Sequence, residues 1–310
     1  MGMQVKPNHR QLYHRTPGGL NLSLRMWSGY GPPQQLLLHG FGDNSLVWQH
    51  FASRLDASCS LAMDLRGHGH SDWDSEGTYA LSDFIADAVN VLEELCPAPV
   101  VLVGHSLGAQ IAIRAAAACR ERIRAVVLVD VALRPSELSA VHVRRKFRER
   151  QYPYESTAHY IALLREQLPL AREQLLEALA EGALRVDGGG RCEERCDPRL
   201  VNRDDSIDTL AMRVALKQIA RPILFVRGAG SAVLSRTAAR EVMAELPQSR
   251  ISVVDTAGHT VMLDNPEGFC AAVKPYVLRF SALSSYPAAA GLSPYPGGEL
   301  PETSSQRETP

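Results

Sequence analysis

A serine stands where a reactive hydroxyl would be needed, within Gly104-His105-Ser106-Leu107-Gly108. The apolar run Val100-Val101-Leu102-Val103 leads into it, and residues 110–119 read as a helix. A strand, a G-x-S-x-G turn and a helix, in that order, hold a serine on a sharp bend with its oxygen exposed. Gly104 and Gly108 lack Cβ, so the backbone can bend there and adjoining segments can pack close. Ser106 then sits at a helix N-terminus, where unpaired N–H groups and the helix dipole favour developing negative charge. The predicted chemistry is attack by the serine oxygen on an electrophilic carbon.

A hydroxyl is a weak nucleophile until a neighbouring base takes its proton. When the partners follow the order Ser, acid, His, the base comes late in the chain. Ala257-Gly258-His259 follows the last apolar strand, and His259 is the only one of ten histidines beyond residue 159. It is the candidate base. The oxyanion formed by attack needs two backbone N–H groups aimed in advance. Leu107, directly after the serine, is one candidate, and Phe41, in the loop His39-Gly40-Phe41, is the other. A lone histidine after a strand is more often structural, and His39-Gly40 by itself reads as a strand-ending turn. Their place in the order of elements gives them the functional reading.

These residues need a scaffold that brings distant strand ends together. Short apolar strands are expected near residues 20–27, 34–38, 60–65, 100–103, 125–131, 222–227 and 251–255. Helical spacing recurs at 48–55, over Phe84, Ile85, Ala88, Val89, Leu92 and Leu95 with Ser82 as N-cap, at 238–246, and at 266–280. Asn265-Pro266-Glu267 suits the start of the last helix: a capping residue, proline in the first turn, then an acid. Strands alternating with helices imply an α/β class with a mostly parallel sheet covered on both faces. Between the strands near 131 and 222 lie about 90 residues, far more than a crossover needs. Residues 160–167 and 171–179 are helical pieces of that stretch. The expected organisation is a core of 1–132 and 221–280, a helical cap of 133–220, and a disordered tail of 281–310 rich in Pro, Ser and Gly.

Bulk properties narrow the function classes. A chain of 310 residues with 45% hydrophobic and 22% charged residues is ordinary for a globular protein. A formal net charge of -1 argues against nucleic acid as a partner. Arg144-Arg145-Lys146-Phe147-Arg148 is a local basic cluster that reads as a solvated helix face. Six scattered cysteines show no metal-ligand spacing and read as free thiols in a reducing, cytoplasmic setting. There is no apolar leader and no run long enough to span a membrane. Asp187-Gly188-Gly189-Gly190 lacks the strand-to-helix context of a phosphate loop. No metal, nucleotide or redox cofactor has a motif.

Four motifs together resemble the α/β-hydrolase fold superfamily: Leu38-His39-Gly40-Phe41; Asp64-Leu65-Arg66-Gly67-His68-Gly69-His70-Ser71; the serine pentapeptide; and Gly258-His259 followed by Asn265-Pro266-Glu267-Gly268-Phe269. The resemblance spans about residues 20–280 and implies a helical cap inserted after the sixth core strand. It is specific for fold and weak for substrate. Epoxide hydrolases and dehalogenases of the superfamily typically carry Asp at the elbow, so Ser106 counts against them. Many members place the acid in the loop after the strand at 222–227, but here Ala232 stands where Asp would be expected. Other members place it after the preceding strand, where Asp130 sits. Asp130 is therefore the candidate acid, with Asp255, Asp205 or an unassisted Ser–His dyad as alternatives.

The expected function is hydrolysis of a small-molecule ester or thioester through an acyl-enzyme on Ser106, with Trp48, Leu133 and the cap helices shaping an apolar pocket. C–C bond hydrolysis, a non-catalytic binding role suggested by Ala232, and a cofactor-free oxygenase or lyase are the rivals. Oligomeric state is not legible in the sequence.

Overall fold

The computed structural model describes residues 9–27, 31–55, 58–133, 145, 147, 153–188, 191–203 and 208–281. Its elements run β1 (His9–Arg15), β2 (Asn21–Trp27), β3 (Gln35–Leu38), α1 (Gln49–Ala52), β4 (Ser60–Met63), α2 (Leu81–Leu95), β5 (Val100–His105), α3 (Leu107–Ala118) and β6 (Ile123–Val129). There follow α4 (Thr157–Gln167), α5 (Glu173–Ala183), β7 (Leu184–Val186), β8 (Cys192–Glu194), α6 (Thr209–Gln218), β9 (Ile223–Gly228), α7 (Arg236–Glu245), β10 (Arg250–Val254), α8 (Val261–Asp264) and α9 (Pro266–Ser281).

Eight strands form one sheet in the order β1-β2-β4-β3-β5-β6-β9-β10. From β4 to β10 every neighbouring pair is parallel, while β1 and β2 join antiparallel at one edge. Every residue of β5 is buried because successive side chains leave the sheet on opposite faces and both faces are covered. Val100 and Leu102 pack into one core with α2, α3 and α6, and Val101 and Val103 into a second with α1 and α9. After β3 the chain runs outward to β4, and after β5 it runs the other way to β6 and β9. The crevice at the ends of β3 and β5 is thus the topological switch point, where open α/β sheets bind ligands.

Two local expectations are corrected, and one strand was not foreseen. The helix expected at 48–55 is a 3₁₀ turn, Ser45–Trp48, followed by the single turn α1. Helix α2 starts before Ser82, and Asp83 reaches back to accept the Ala80 N–H at 3.0 Å. Strand β1 had no apolar signature, because it is a half-exposed edge strand paired in register with β2.

Between β6 and β9, α4 and α5 are joined by the small β7–β8 sheet, with Tyr154, Tyr160, Ala180, Leu184 and Cys192 forming a local core. This segment is pinned to loops that flank the main sheet at several points. Asn44 Nδ2–H donates to the Leu179 carbonyl at 3.1 Å, Trp73 Nε1–H donates to the Arg195 carbonyl at 2.8 Å, and the Tyr79 hydroxyl donates to Asp197. The tail expected from 281 lies outside the described residues apart from Ser281, as do Arg144, Lys146 and Arg148 of the basic cluster and Gly189-Gly190 of the glycine loop.

Beneath the switch point lies a buried polar knot. His39 Nδ1–H donates to the Gly40 carbonyl at 2.7 Å, and its Nε2 accepts the Leu65 N–H at 2.9 Å. That acceptor role requires a neutral ring, and burial keeps the imidazole below its ordinary 6.5 against the pull of Asp64. Burial, with Arg195 and Arg25 nearby, pushes His70 down to about 4. Burial alone would raise the Asp64 carboxyl, but the Arg25 charge and hydrogen bonds from Ser45 hold it below 3.8.

Depressed histidines leave the unfolded chain binding protons first as pH falls, so their stabilising share is lost from 6.5 downward. The share from Asp64 is intact above 3.8 and is lost as pH falls further. Thermal midpoints measured by circular dichroism should therefore fall continuously as pH drops below 6.5, first through the histidines and then, below 3.8, through Asp64 as well. A midpoint constant from neutral pH down to about 4.5 would contradict this linkage.

Candidate active site

Three described non-glycine residues have positive φ: Ser106 at 51°, Asp130 at 45° and Thr256 at 50°. They lie just past the ends of β5, β6 and β10. Such backbone costs about 1–3 kcal/mol per residue and persists only where the surroundings over-determine it. The sheet supplies that constraint, since Ser106 N–H donates to the Val129 carbonyl at 3.1 Å and Asp130 N–H to the Val226 carbonyl at 2.8 Å. Close packing makes the elbow possible. A Cβ on Gly104 would lie 2.3 Å from the Gly108 carbonyl oxygen, and one on Gly108 only 2.2 Å from that of Leu38. Both neighbours are backbone, which cannot swing aside.

On this frame three of the residues singled out in the sequence meet. The Ser106 Oγ lies 3.1 Å from His259 Nε2, and His259 Nδ1 lies 2.7 Å from Asp130 Oδ2. A carboxylate only accepts, so Nδ1 carries the proton and Nε2 presents its lone pair to the serine hydroxyl. Asp130 is fully buried, whereas the His259 side chain is 36% exposed and faces the crevice. Of the alternative acids, Asp255 is exposed and Asp205 lies outside the described residues.

Leu107 heads α3, so its N–H belongs to the unpaired first turn of that helix. Phe41 lies across the crevice, its ring packed against Phe147 at 5.0 Å and His68 at 5.9 Å, with the Arg203 guanidinium 5.2 Å above it. A cavity of about 180 Å³ is lined by Ser106, His259 and Phe41, with Tyr160, Leu164 and Leu179 contributed by the segment between β6 and β9. Trp48 and Leu133 do not line it. Trp48 is fully buried on the α9 side, its ring 6.1 Å from Phe269, and Leu133 packs in the opposite core. Large apolar residues close in sequence to a motif went to the core because the sheet has two faces to cover.

Ser231 was not legible in the sequence. Its hydroxyl donates to Asp130 Oδ2 at 2.5 Å and accepts the Val233 N–H at 3.0 Å. Arg227, buried at the end of β9, holds the loop in place through the carbonyls of Leu234 at 2.6 Å, Ala229 at 3.1 Å and Ser231 at 3.2 Å. Ala232 is exposed, and its neighbour Ser231 turns inward to Asp130. The one available signal was a serine beside the vacant acid position, and it acquires meaning only through the pairing of β6 with β9. Ser231→Ala removes one charge-assisted hydrogen bond from the carboxylate and should lower kcat about tenfold with little change in KM. Steady-state kinetics with an activated ester checks this, and an unchanged kcat would make Ser231 a packing residue only.

The architecture, the switch-point crevice and the serine elbow define an α/β hydrolase. The sequence matches the alpha/beta hydrolase family over residues 35–272, and the chain belongs to that family. An esterase of Mycobacterium tuberculosis is 30% identical over 276 residues, covering 84% of this chain and 87% of its own. The 2-(acetamidomethylene)succinate hydrolase of Mesorhizobium japonicum is 30% identical over 258 residues, covering 81% of this chain and 89% of its own. The crystal structure of E-2-(acetamidomethylene)succinate hydrolase superposes with a TM-score of 0.76 at 25% identity, covering 87% of this chain and 99% of that one. No described helix is long and apolar enough to cross a membrane.

Proposed function

We propose that the chain is a serine hydrolase that cleaves a small-molecule carboxylic ester or thioester through an acyl-enzyme on Ser106. The unbroken hydrogen-bond run from Ser106 through His259 to Asp130 carries this reading. His259 Nε2 takes the hydroxyl proton as Oγ attacks the carbonyl carbon, and Asp130 stabilises the imidazolium that forms. The N–H groups of Leu107 and Phe41 receive the oxyanion. Collapse of the tetrahedral intermediate breaks the bond to the leaving oxygen or sulfur, which takes the proton back from His259. Water then attacks the acyl-enzyme by the same route in reverse, giving the carboxylic acid and free Ser106.

The segment 133–220 acts as the cap over a core of 1–132 and 221–280, and its Tyr160, Leu164 and Leu179 limit the acyl group. A cavity of about 180 Å³ falls below the usual range for drug-sized ligands, which favours short acyl chains. The related esterase supports ester chemistry. Free cysteines fit a reducing, cytoplasmic setting. The non-catalytic alternative draws its support from Ala232, and the contact between Asp130 and His259 supports the catalytic reading instead.

A panel of p-nitrophenyl esters and acyl thioesters of increasing chain length, beside a vinylogous diketone as C–C substrate, tests the assignment. Turnover of the short esters or thioesters with a burst of released alcohol or thiol is the expected result. Cleavage of the diketone with no turnover of any activated ester would overturn it.

A further inference from the structure

His105 precedes the nucleophile and is 2% exposed, yet its imidazole makes no proton transfer in the scheme above. Its Nε2 lies 3.0 Å from the His259 carbonyl oxygen, and the two rings sit 4.7 Å apart at 44°. A carbonyl oxygen only accepts, so Nε2 carries the hydrogen and donates it. Burial first, and then the neighbouring His259, hold His105 well below its ordinary 6.5, so the ring is neutral and Nδ1 carries a lone pair. Asp43 Oδ2 lies 3.8 Å from Nδ1, which with a neutral imidazole is not an ion pair. Nδ1 has no hydrogen-bond partner among the described residues.

The same ring also explains Gly40. A Cβ at that position would lie 2.8 Å from His105 Nδ1 and 3.1 Å from its Cε1. The loop that carries Phe41 therefore rests directly on the imidazole. One side chain thus touches the loop of the base on one edge and the Phe41 loop on the other, while its own backbone adjoins Ser106. β3 and β5 are neighbours in the sheet, so the Phe41 loop and the elbow already share a ladder, whereas β10, which leads to His259, lies three strands away from β5.

We propose that His105 is a positioning residue, which through its Nε2–H to the His259 carbonyl and its contact with Gly40 fixes the base and the Phe41 N–H relative to Ser106. This inference rests on the assignment of Ser106 and His259 as nucleophile and base. The hydrogen bond is the element that a substitution can isolate. Gln places an amide N–H close to the position of imidazole Nε2, whereas Leu fills similar space with no donor.

The test compares His105→Gln and His105→Leu with the wild type in kcat, KM, thermal midpoint and the rate of fluorophosphonate labelling at Ser106. A misplacement of about 1 Å can cost on the order of 100-fold in rate. His105→Leu should therefore lose about 10- to 100-fold in kcat and in labelling rate, at nearly unchanged KM and thermal midpoint. His105→Gln should stay within about fivefold of the wild type. The downfield proton resonance of the His259–Asp130 hydrogen bond should persist with Gln and broaden with Leu. If His105→Leu does not fold, His105→Asn, whose shorter amide cannot reach the carbonyl, takes its place against Gln.

Equal kcat in the donor-free and donor-bearing variants overturns the positioning role, while labelling of wild-type Ser106 leaves the hydrolase assignment standing. Wild-type protein that is folded and never labelled overturns the hydrolase assignment, and this inference with it.

Discussion

Ser106→Ala should abolish ester turnover, lowering kcat by about 10⁴-fold or more, while the thermal transition stays where it is. In the proposed mechanism the loss is large because the oxygen is the atom that bonds to the substrate, and the hydroxyl lies 3.1 Å from His259 Nε2. The small change in stability follows from local geometry. Alanine keeps the Cβ that serine already holds at a φ of 51°, so no new strain enters the elbow. The backbone N–H of residue 106 still donates to the Val129 carbonyl. What disappears is one hydroxyl with a hydrogen bond to a half-exposed imidazole. Paired measurements of kcat and of the melting curve check both halves. Retained turnover at an unchanged midpoint would remove Ser106 from the chemistry.

Asp130→Asn should lower kcat by about 10²–10⁴ without unfolding the protein. Both His259 Nδ1–H and the Ser231 hydroxyl donate to the same oxygen, Oδ2. An asparagine can turn either way at this site, and each orientation fails for its own reason. With the amide oxygen facing the histidine, both hydrogen bonds survive, but the negative charge that in the proposed mechanism stabilises the imidazolium is gone. With the amide nitrogen facing it, donor meets donor, the imidazole shifts its proton to Nε2, and Ser106 loses its base. Full burial of the carboxylate strengthens the effect, since little water can screen or replace it. Ser231→Ala leaves the charge in place and takes one donor away, so its expected loss is much smaller. A kcat for Asp130→Asn within a few-fold of the wild type would make Asp130 a structural strand-end residue.

How much of this was readable in advance depended on how local each cause is. Ser106 is announced by its own pentapeptide, because the turn itself packs Gly104 against the backbone of Gly108, although glycine at 108 is required by the carbonyl of Leu38 on the neighbouring strand. His259 follows from chain order and from its place after the last strand. Asp130 needed the usual acid position to be vacant, and nothing local distinguishes it from any aspartate ending a strand. Ser231 lies beyond sequence reasoning, since its partner is 101 residues away and the contact exists only because β6 and β9 are neighbours. His105 was quoted as part of the motif without a role, for the same reason: its partner is 154 residues away. Trp48 and Leu133 were misplaced because hydrophobicity predicts burial and says nothing of which face is buried. Strand β1 escaped because an edge strand has no apolar alternation to read.

The central claim is that the hydroxyl of Ser106 is activated by the imidazole of His259. Treating the folded chain with a fluorophosphonate, then locating the adduct by peptide mass mapping in the wild type and in His259→Ala, measures that claim directly. A single stoichiometric adduct on Ser106 in the wild type, formed at least about 100-fold more slowly in the variant, is the predicted result. An adduct elsewhere, no adduct on folded protein, or equal labelling rates with and without the imidazole would contradict it.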